Sequence, residues 1–406
     1  MKRAAPSLWY DVTNLVSYSG TVTGIERAIS GVARGLLEAD APVPVRFCHF
    51  RKGEGFFELQ RPRLDALLDE LGRERSRRKR TLAARLRKRL LGSRPASAPF
   101  DAGDVLLNLG YATYQQRHRP LVAELFQRSG VNYAGFIYDL LPVRFPEWWD
   151  PEEQIRTREW FTFTGRHASI VLCCSVSTST DVRRFFEEEG IEAGPVVSVP
   201  LADDLRVSPA AGESSAGTER PYVLYVSTLE VRKNHRLLFQ VWKELLRRHE
   251  PSAVPNLVLV GRKGWLIGDF LAELRNAHFL GGKIVVRHAV SDEELARLYA
   301  DCLFTVYPSI HEGWGLPIAE SLAHGKYCVA SSSSSIPEVG GDLIDYHDPF
   351  DLRGALERIE RAIFDPAYRA AKEAEIRARY RRRTWRESAQ AIVAALAPLW
   401  KPPASA

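Results

Sequence analysis

Pro308-Ser-Ile-His-Glu-Gly-Trp-Gly-Leu-Pro-Ile-Ala-Glu320 is the stretch whose reading decides the fold. Upstream, Cys302-Leu-Phe-Thr-Val-Tyr307 is short, apolar and rich in β-formers; downstream, Ile318-Ala-Glu-Ser-Leu-Ala323 has helical composition and stops near Gly325. The glycines therefore sit where a strand hands over to a helix. Gly313 and Gly315 let backbone N–H groups approach a ligand closely, and Pro317 suits the first turn of a helix whose N-terminus favours an anion, a phosphate being the natural occupant. Glu312 and Glu320 stand on either side of this turn, so each can serve a different part of one elongated ligand. A plain glycine turn with two solvated glutamates is the alternative.

Outward from this stretch the chain alternates strand and helix. Leu8-Trp-Tyr-Asp-Val-Thr runs through the loop Ser17–Gly24 into a helix from Ile25 to about Glu38, with Ile25, Ile29, Val32, Leu36 and Leu37 near a 3.6 period. Asp104–Leu109 is a strand, Pro120–Arg128 a helix and Asn132–Tyr138 a buried strand that leaves through the proline-punctuated loop Asp139–Trp149. Ser169–Ser175 is a further strand, Thr178–Gly190 a helix and Val196–Pro200 an extended segment. The composition from Val207 to Pro221 is linker-like. Beyond it come the strand candidates Tyr222–Ser227, Asn256–Gly261, Ile284–Val290 and Lys326–Ser331, with Arg232 and Lys233 at a strand-to-helix transition. The pattern predicts an α/β protein with two doubly wound, Rossmann-like domains, in which ligands lie at the carboxyl ends of the strands. The expected limits are 1–205 for the first domain, with a basic insertion at about 70–98, then a linker at 206–221, a second domain at 222–382 and a terminal helix and tail at 383–406.

The opening stretch resembles the Glu-Gly-Phe-Gly-Leu-Pro…Glu signature of glycosyltransferase family four, retaining enzymes of GT-B architecture, with Trp314 in place of the commoner Phe. Ser227-Thr-Leu-Glu-Val-Arg-Lys-Asn234 resembles the same family's Gly-Thr-Leu-Glu-Pro-Arg-Lys-Asn, and Ile336-Pro-Glu-Val-Gly-Gly341 its Pro-Glu-Val-x-Gly turn. The resemblance implies that Glu312 contacts the donor sugar, that Arg232, Lys233, Trp314, Gly315 and Leu316 contact the diphosphate, and that Glu320 binds ribose. It implies that Arg262 and Lys263 border the base, as do backbone groups near Val290. Ile137-Tyr-Asp-Leu-Leu-Pro-Val-Arg-Phe-Pro-Glu147 is similar to the family's His-Asp-Leu-x-Pro…Pro-Glu, with Tyr138 where the family has His; Asp139 is assigned to sugar or acceptor positioning, a local loop cap being its alternative. Thr23-Gly-Ile-Glu-Arg27 looks like a segment of mannosyl- and rhamnosyltransferase-like members, which makes Thr23 and Gly24 acceptor-loop candidates. GT-B architecture further implies that the two domains face a cleft and that the last helix crosses back to the first domain.

With 406 residues and 45% hydrophobic content the chain is globular and long enough for two cores. No run has transmembrane length and the N-terminal apolar segment is too short for a signal peptide. Cys48, Cys173, Cys174, Cys302 and Cys328 lack metal spacing and sit mostly in apolar runs, so they are read as core hydrophobes in a reducing, cytoplasmic compartment. The charge is localised. Arg73 to Arg94 holds eleven cations against Glu74, a local +10, so a chain of net +6 carries 6 − 10 = −4 elsewhere. Leu82, Leu86, Leu90 and Leu91 recur there at helical spacing, which suits an anionic membrane surface. A solvated insertion is the bland alternative, and nucleic acid is disfavoured because no binding motif or interleaved aromatic accompanies the basic run.

The sequence reading is thus a retaining hexosyltransferase, peripheral on the inner face of a membrane, moving mannose or a related sugar from a GDP-sugar (a UDP-sugar being possible) to a saccharide or lipid-linked saccharide in cell-surface polysaccharide or lipopolysaccharide assembly. No Asp-x-Asp occurs, so no metal is expected to hold the diphosphate, and no cofactor is called for. The rivals are a GT-B epimerase or phosphorylase and a non-catalytic carbohydrate- or membrane-binding scaffold.

Overall fold

A computed structural model of the chain describes residues 5–17, 24–51, 54–74, 100–110, 118–202, 221–288 and 290–400. Thr23, most of the basic segment and nearly all of the expected linker lie outside the described residues. The chain divides into two compact units, residues 1–202 with 383–406, and residues 203–382.

The first unit is built on a seven-stranded sheet of order β3-β2-β1-β4-β5-β6-β7. Its strands are β1 (Leu8–Asp11), β2 (Val45–Arg51), β3 (Gly55–Glu58), β4 (Val105–Asn108), β5 (Asn132–Ile137), β6 (Ile170–Cys173) and β7 (Val196–Ser198). Only the edge hairpin of β2 and β3 is antiparallel. β1, β4 and β6 are buried at every position, as strands of a parallel sheet covered on both faces are, and β1 and β4 are apolar up to their last residues, Asp11 and Asn108. The strand order reverses between β1 and β4, and there Asp11 accepts from the Thr13 N–H (2.8 Å) and the Asn108 amide (2.8 Å).

The same unit contains the last helix, Trp385–Leu396, which starts with a capping box between Thr384 and Glu387. It packs on the helix Gly24–Glu38. The approach is close enough that a Cβ on Gly31 would fall 2.2 Å from the Trp385 ring, so only glycine fits there. The Ser388 hydroxyl donates to the Pro200 carbonyl (3.0 Å), tying the returning chain to the segment where it left this unit.

The second unit has a fully parallel six-stranded sheet of order β10-β9-β8-β11-β12-β13. The strands are β8 (Tyr222–Val226), β9 (Asn256–Val260), β10 (Ile284–Arg287), β11 (Thr305–Tyr307), β12 (Cys328–Ser331) and β13 (Asp345–His347). Parallel order places every strand-to-helix loop at one edge of the sheet, and the order reverses between β8 and β11. Cys302 does not begin β11 as expected. It closes the helix Asp292–Asp301, its N–H donating to Leu298 O (3.2 Å), and the strand starts three residues later. The helix expected at Thr178 starts at Val176, because Ser175 is its cap and accepts the Thr178 N–H (3.0 Å). All five cysteines are buried and none forms a disulfide.

Candidate active site

The loops that follow β8 and β11 meet at the point of strand reversal in the second unit. Backbone stitches them, with Ile310 N–H donating to Arg232 O (2.9 Å). Glu312 lies between two cations: one carboxylate oxygen accepts from Arg232 (2.6 Å) and the other from Lys233 Nζ (2.6 Å). Arg232 also donates to His311 O (2.8 Å) and pairs with Glu230 at 2.7 Å, while Lys233 reaches the Tyr307 hydroxyl (3.2 Å). Glu312 is 6% exposed and Lys233 7%, so both charges are in a low-dielectric setting.

Electrostatics follow from that enclosure. Burial alone would push the Glu312 carboxyl up, but the charges of Arg232 and Lys233 outweigh it and hold it down at about 2. Lys233 is lowered by its burial and by the neighbouring Arg232, against the pull of Glu312. Burial raises Glu230, opposed by Arg232. The two cations expected to grip a diphosphate are therefore already balanced by two carboxylates, Glu230 and Glu312, an arrangement that an incoming anion must rearrange. Burial and Lys233 lower His235 to about 3, so its ring is neutral beside the Ser227 hydroxyl (3.2 Å).

Directly after Glu312 the backbone turns into the helix Leu316–Ala323 through Gly315, whose φ of 122° is in the range that L side chains avoid. The first N–H groups of that helix have no acceptor within it. Glu320 is 2% exposed and accepts from the Tyr299 hydroxyl (3.0 Å), which fixes its carboxylate. Trp314 and Leu316 are partly buried at the turn. Arg262 and Lys263 are exposed on the neighbouring loop after β9, held alongside the β8 loop by Leu229 N–H to Arg262 O (2.9 Å) and Gly264 N–H to Leu229 O (2.8 Å). That loop begins at Gly261, where a Cβ would fall 1.8 Å from the Ser227 carbonyl oxygen. Val290 packs beside β8 against the small core that includes Tyr222 and Leu224.

Arg232, Lys233, Glu312, Trp314, Gly315, Leu316 and Glu320 thus share one edge of one sheet, although they come from two segments far apart in sequence. Tyr138, Asp139 and Gly24 belong to the first unit; Thr23 is outside the described residues. Asp139 accepts the Leu141 N–H (3.2 Å), the local cap named as its alternative. Among the described residues the buried Tyr138 hydroxyl has no hydrogen-bond partner, and burial, with the nearby Cys174 and Glu26, holds its pKa far above the usual range. It stays protonated, so its hydroxyl keeps a proton to donate. The sequence reading gave no site role to Glu230, to Tyr307 or to the polar loop Ser331–Ser335; the one available signal was the acidic Glu230 beside the basic pair in a strand-to-helix loop.

Residues 211–379 match the family described as glycosyl transferases group 1. The serotype-specific mannosyltransferase WbdA of Escherichia coli is 28% identical over 235 residues, 55% of this chain and 28% of the relative. The O-antigen chain mannosyltransferase B of Escherichia coli is 37% identical over 164 residues, 40% of this chain and 42% of the relative. The chain therefore spans less than half the length of these curated relatives. Among solved structures, the sucrose-phosphate synthase of Thermosynechococcus elongatus superposes with a TM-score of 0.63 at 16% identity, covering 97% of this chain and 99% of that one. HepE of Anabaena, in complex with UDP-glucose, superposes with a TM-score of 0.58 at 17% identity, covering 96% and 94%. Joined to the two parallel-sheet units and the glutamate-flanked turn, these likenesses make the chain GT-B in fold and mannosyltransferase-like in sequence, with residues 211–379 resembling the glycosyl transferases group 1.

Proposed function

We propose that the protein is a retaining glycosyltransferase that moves mannose or a related sugar from a GDP-sugar onto a saccharide or lipid-linked saccharide in cell-surface polysaccharide assembly. The observation that carries this reading is the Arg232–Glu312–Lys233 cluster beside the N-terminus of the helix Leu316–Ala323. A diphosphate laid across that N-terminus would draw Arg232 and Lys233 onto its oxygens, and the developing charge of the departing nucleotide would be stabilised by protein cations and backbone N–H groups. Glu312, released in part from its ion pairs, would then be placed to bond the donor sugar, while Glu320, four residues beyond Leu316, would hold the ribose. Metal is not required in this scheme. The chemistry is C–O cleavage through an oxocarbenium-like state, with the acceptor entering on the face the diphosphate leaves.

The mannosyltransferase relatives support the sugar and the polysaccharide context, and the basic segment 73–94 supports a peripheral position on an anionic membrane at its inner face. Among the described residues no helix is long and apolar enough to cross a membrane. A thermal-shift screen of GDP-, UDP- and ADP-sugars tests the donor assignment. At about 100 times the dissociation constant the preferred donor stabilises by about 2.7 kcal/mol, and GDP-mannose is expected to lead. Turnover of donor without acceptor would favour an epimerase, and a requirement for inorganic phosphate a phosphorylase.

A further inference from the structure

The polar run Ser331–Ser335 follows β12 and borders the Glu312 loop. β11 and β12 pair as far as Tyr307 and Ala330, so the backbone of residues 309–314, buried or partly buried, lies beyond the strand pairing. Serine side chains take over that role. Ser331 Oγ donates to Ser309 O (2.6 Å) and Ser333 Oγ to Ile310 O (2.5 Å). Ser334 Oγ accepts the Glu312 N–H (2.8 Å). The Ser335 hydroxyl shares its proton between Glu312 O (3.0 Å) and Trp314 O (2.7 Å) and is fully buried.

A second feature points to the same place. Ser334 has φ of 51°, a left-handed conformation that is costly for an L-residue and persists only where the surroundings fix it.

We propose that Ser334 and Ser335 are positioning residues, which set the Glu312 carboxylate between Arg232 and Lys233 and hold Trp314 at the helix N-terminus. The inference rests on the glycosyltransferase reading of the site. Neither serine touches the reacting atoms; both act through the backbone of residues 312–314. Their removal should therefore disturb the chemical step more than the grip on the nucleotide, because Lys233 and Glu320 keep their own partners in Tyr307 and Tyr299.

The test uses the full chain with Ser334→Gly and Ser335→Ala, each assayed for transfer and for amide hydrogen exchange over residues 309–316, with rates normalised to folded protein. Glycine at position 334 removes the hydroxyl but accepts the backbone conformation freely, so that variant keeps its thermal stability. For each variant kcat is expected to fall about tenfold, with donor KM changing by less than about threefold, the pattern of an interaction realised in the transition state. Exchange at 309–316 should rise in both. Exchange as slow as in the wild type would overturn the proposal, and faster exchange with kcat unchanged would reduce the serines to loop support and overturn it equally. A wild-type protein that transfers no sugar would refute the glycosyltransferase reading instead, and the serines' hold on the loop would then be decided by exchange alone.

Discussion

Replacing Glu312 by Ala leaves Lys233, 7% exposed, without its carboxylate partner and removes one of the two carboxylates on Arg232. Breaking one side of a buried pair typically costs about 3–5 kcal/mol, because the remaining charge is left uncompensated. The titration argument has the same sign: Arg232 and Lys233 hold the Glu312 carboxyl down at about 2, so its ionised form is stabilised in the folded protein. Because the folded-state pKa is the lower one, this contribution is present above about pH 4.5 and is lost as pH falls toward about 2. At neutral pH a loss of about 3 kcal/mol lowers Tm by about 6–12 °C for a unit of this size. Differential scanning calorimetry at pH 7 and pH 3 should show the wild type and Glu312→Ala well separated at the higher pH and closer together at the lower. Anions sharpen the test: with its internal competitor gone, the Arg232–Lys233 pair of the variant should bind pyrophosphate more tightly than the wild type does, although sugar transfer is nearly abolished. A variant with wild-type Tm, wild-type pyrophosphate affinity and wild-type transfer would refute the reasoning.

Lys233→Ala, and to a lesser degree Arg232→Ala, should slow transfer equally in buffers containing chelator or magnesium; activity abolished by chelator and restored by magnesium would contradict the metal-independent scheme. Glu320→Ala should raise donor KM with a smaller effect on kcat, since ribose contacts act on ground and transition states alike; a selective fall in kcat in steady-state assays would reassign it. Exchanging Arg77, Arg78, Lys79 and Arg80 for Ser should release the protein from anionic vesicles while leaving transfer to a soluble acceptor intact, with wild-type binding itself weakening as salt shortens the Debye length from about 10 Å at 0.1 M to about 3 Å at 1 M. Equal co-sedimentation of variant and wild type would return the segment to a solvated insertion.

Local spacing carries information that distant pairing does not. The turn from Tyr307 into the helix at Leu316 was legible because glycine, proline and the change of hydrophobic period fall within a few residues of one another. Strand limits were less so: Cys302 and Lys326 have compositions that suit a strand, but the ends of β11 and β12 are set by a helix terminus and by the neighbouring strand. The capture of Glu312 by Arg232 and Lys233 spans about eighty residues of sequence and arises only because β8 and β11 are neighbours at the reversal of strand order. Nothing in the serine run announces its partners, since a hydroxyl bonded to backbone has the same composition as one facing water. Glu230 illustrates the opposite case: its position beside the basic pair was visible, whereas its burial was not.

The most direct test of the central claim is the anomeric configuration of product made from GDP-mannose and a mannose-terminated oligosaccharide in the presence of chelator, read by NMR. GDP-mannose is α-linked at its anomeric carbon, so the account predicts an α-mannoside formed without added metal. A β-mannoside, or no product until metal is supplied, would contradict it.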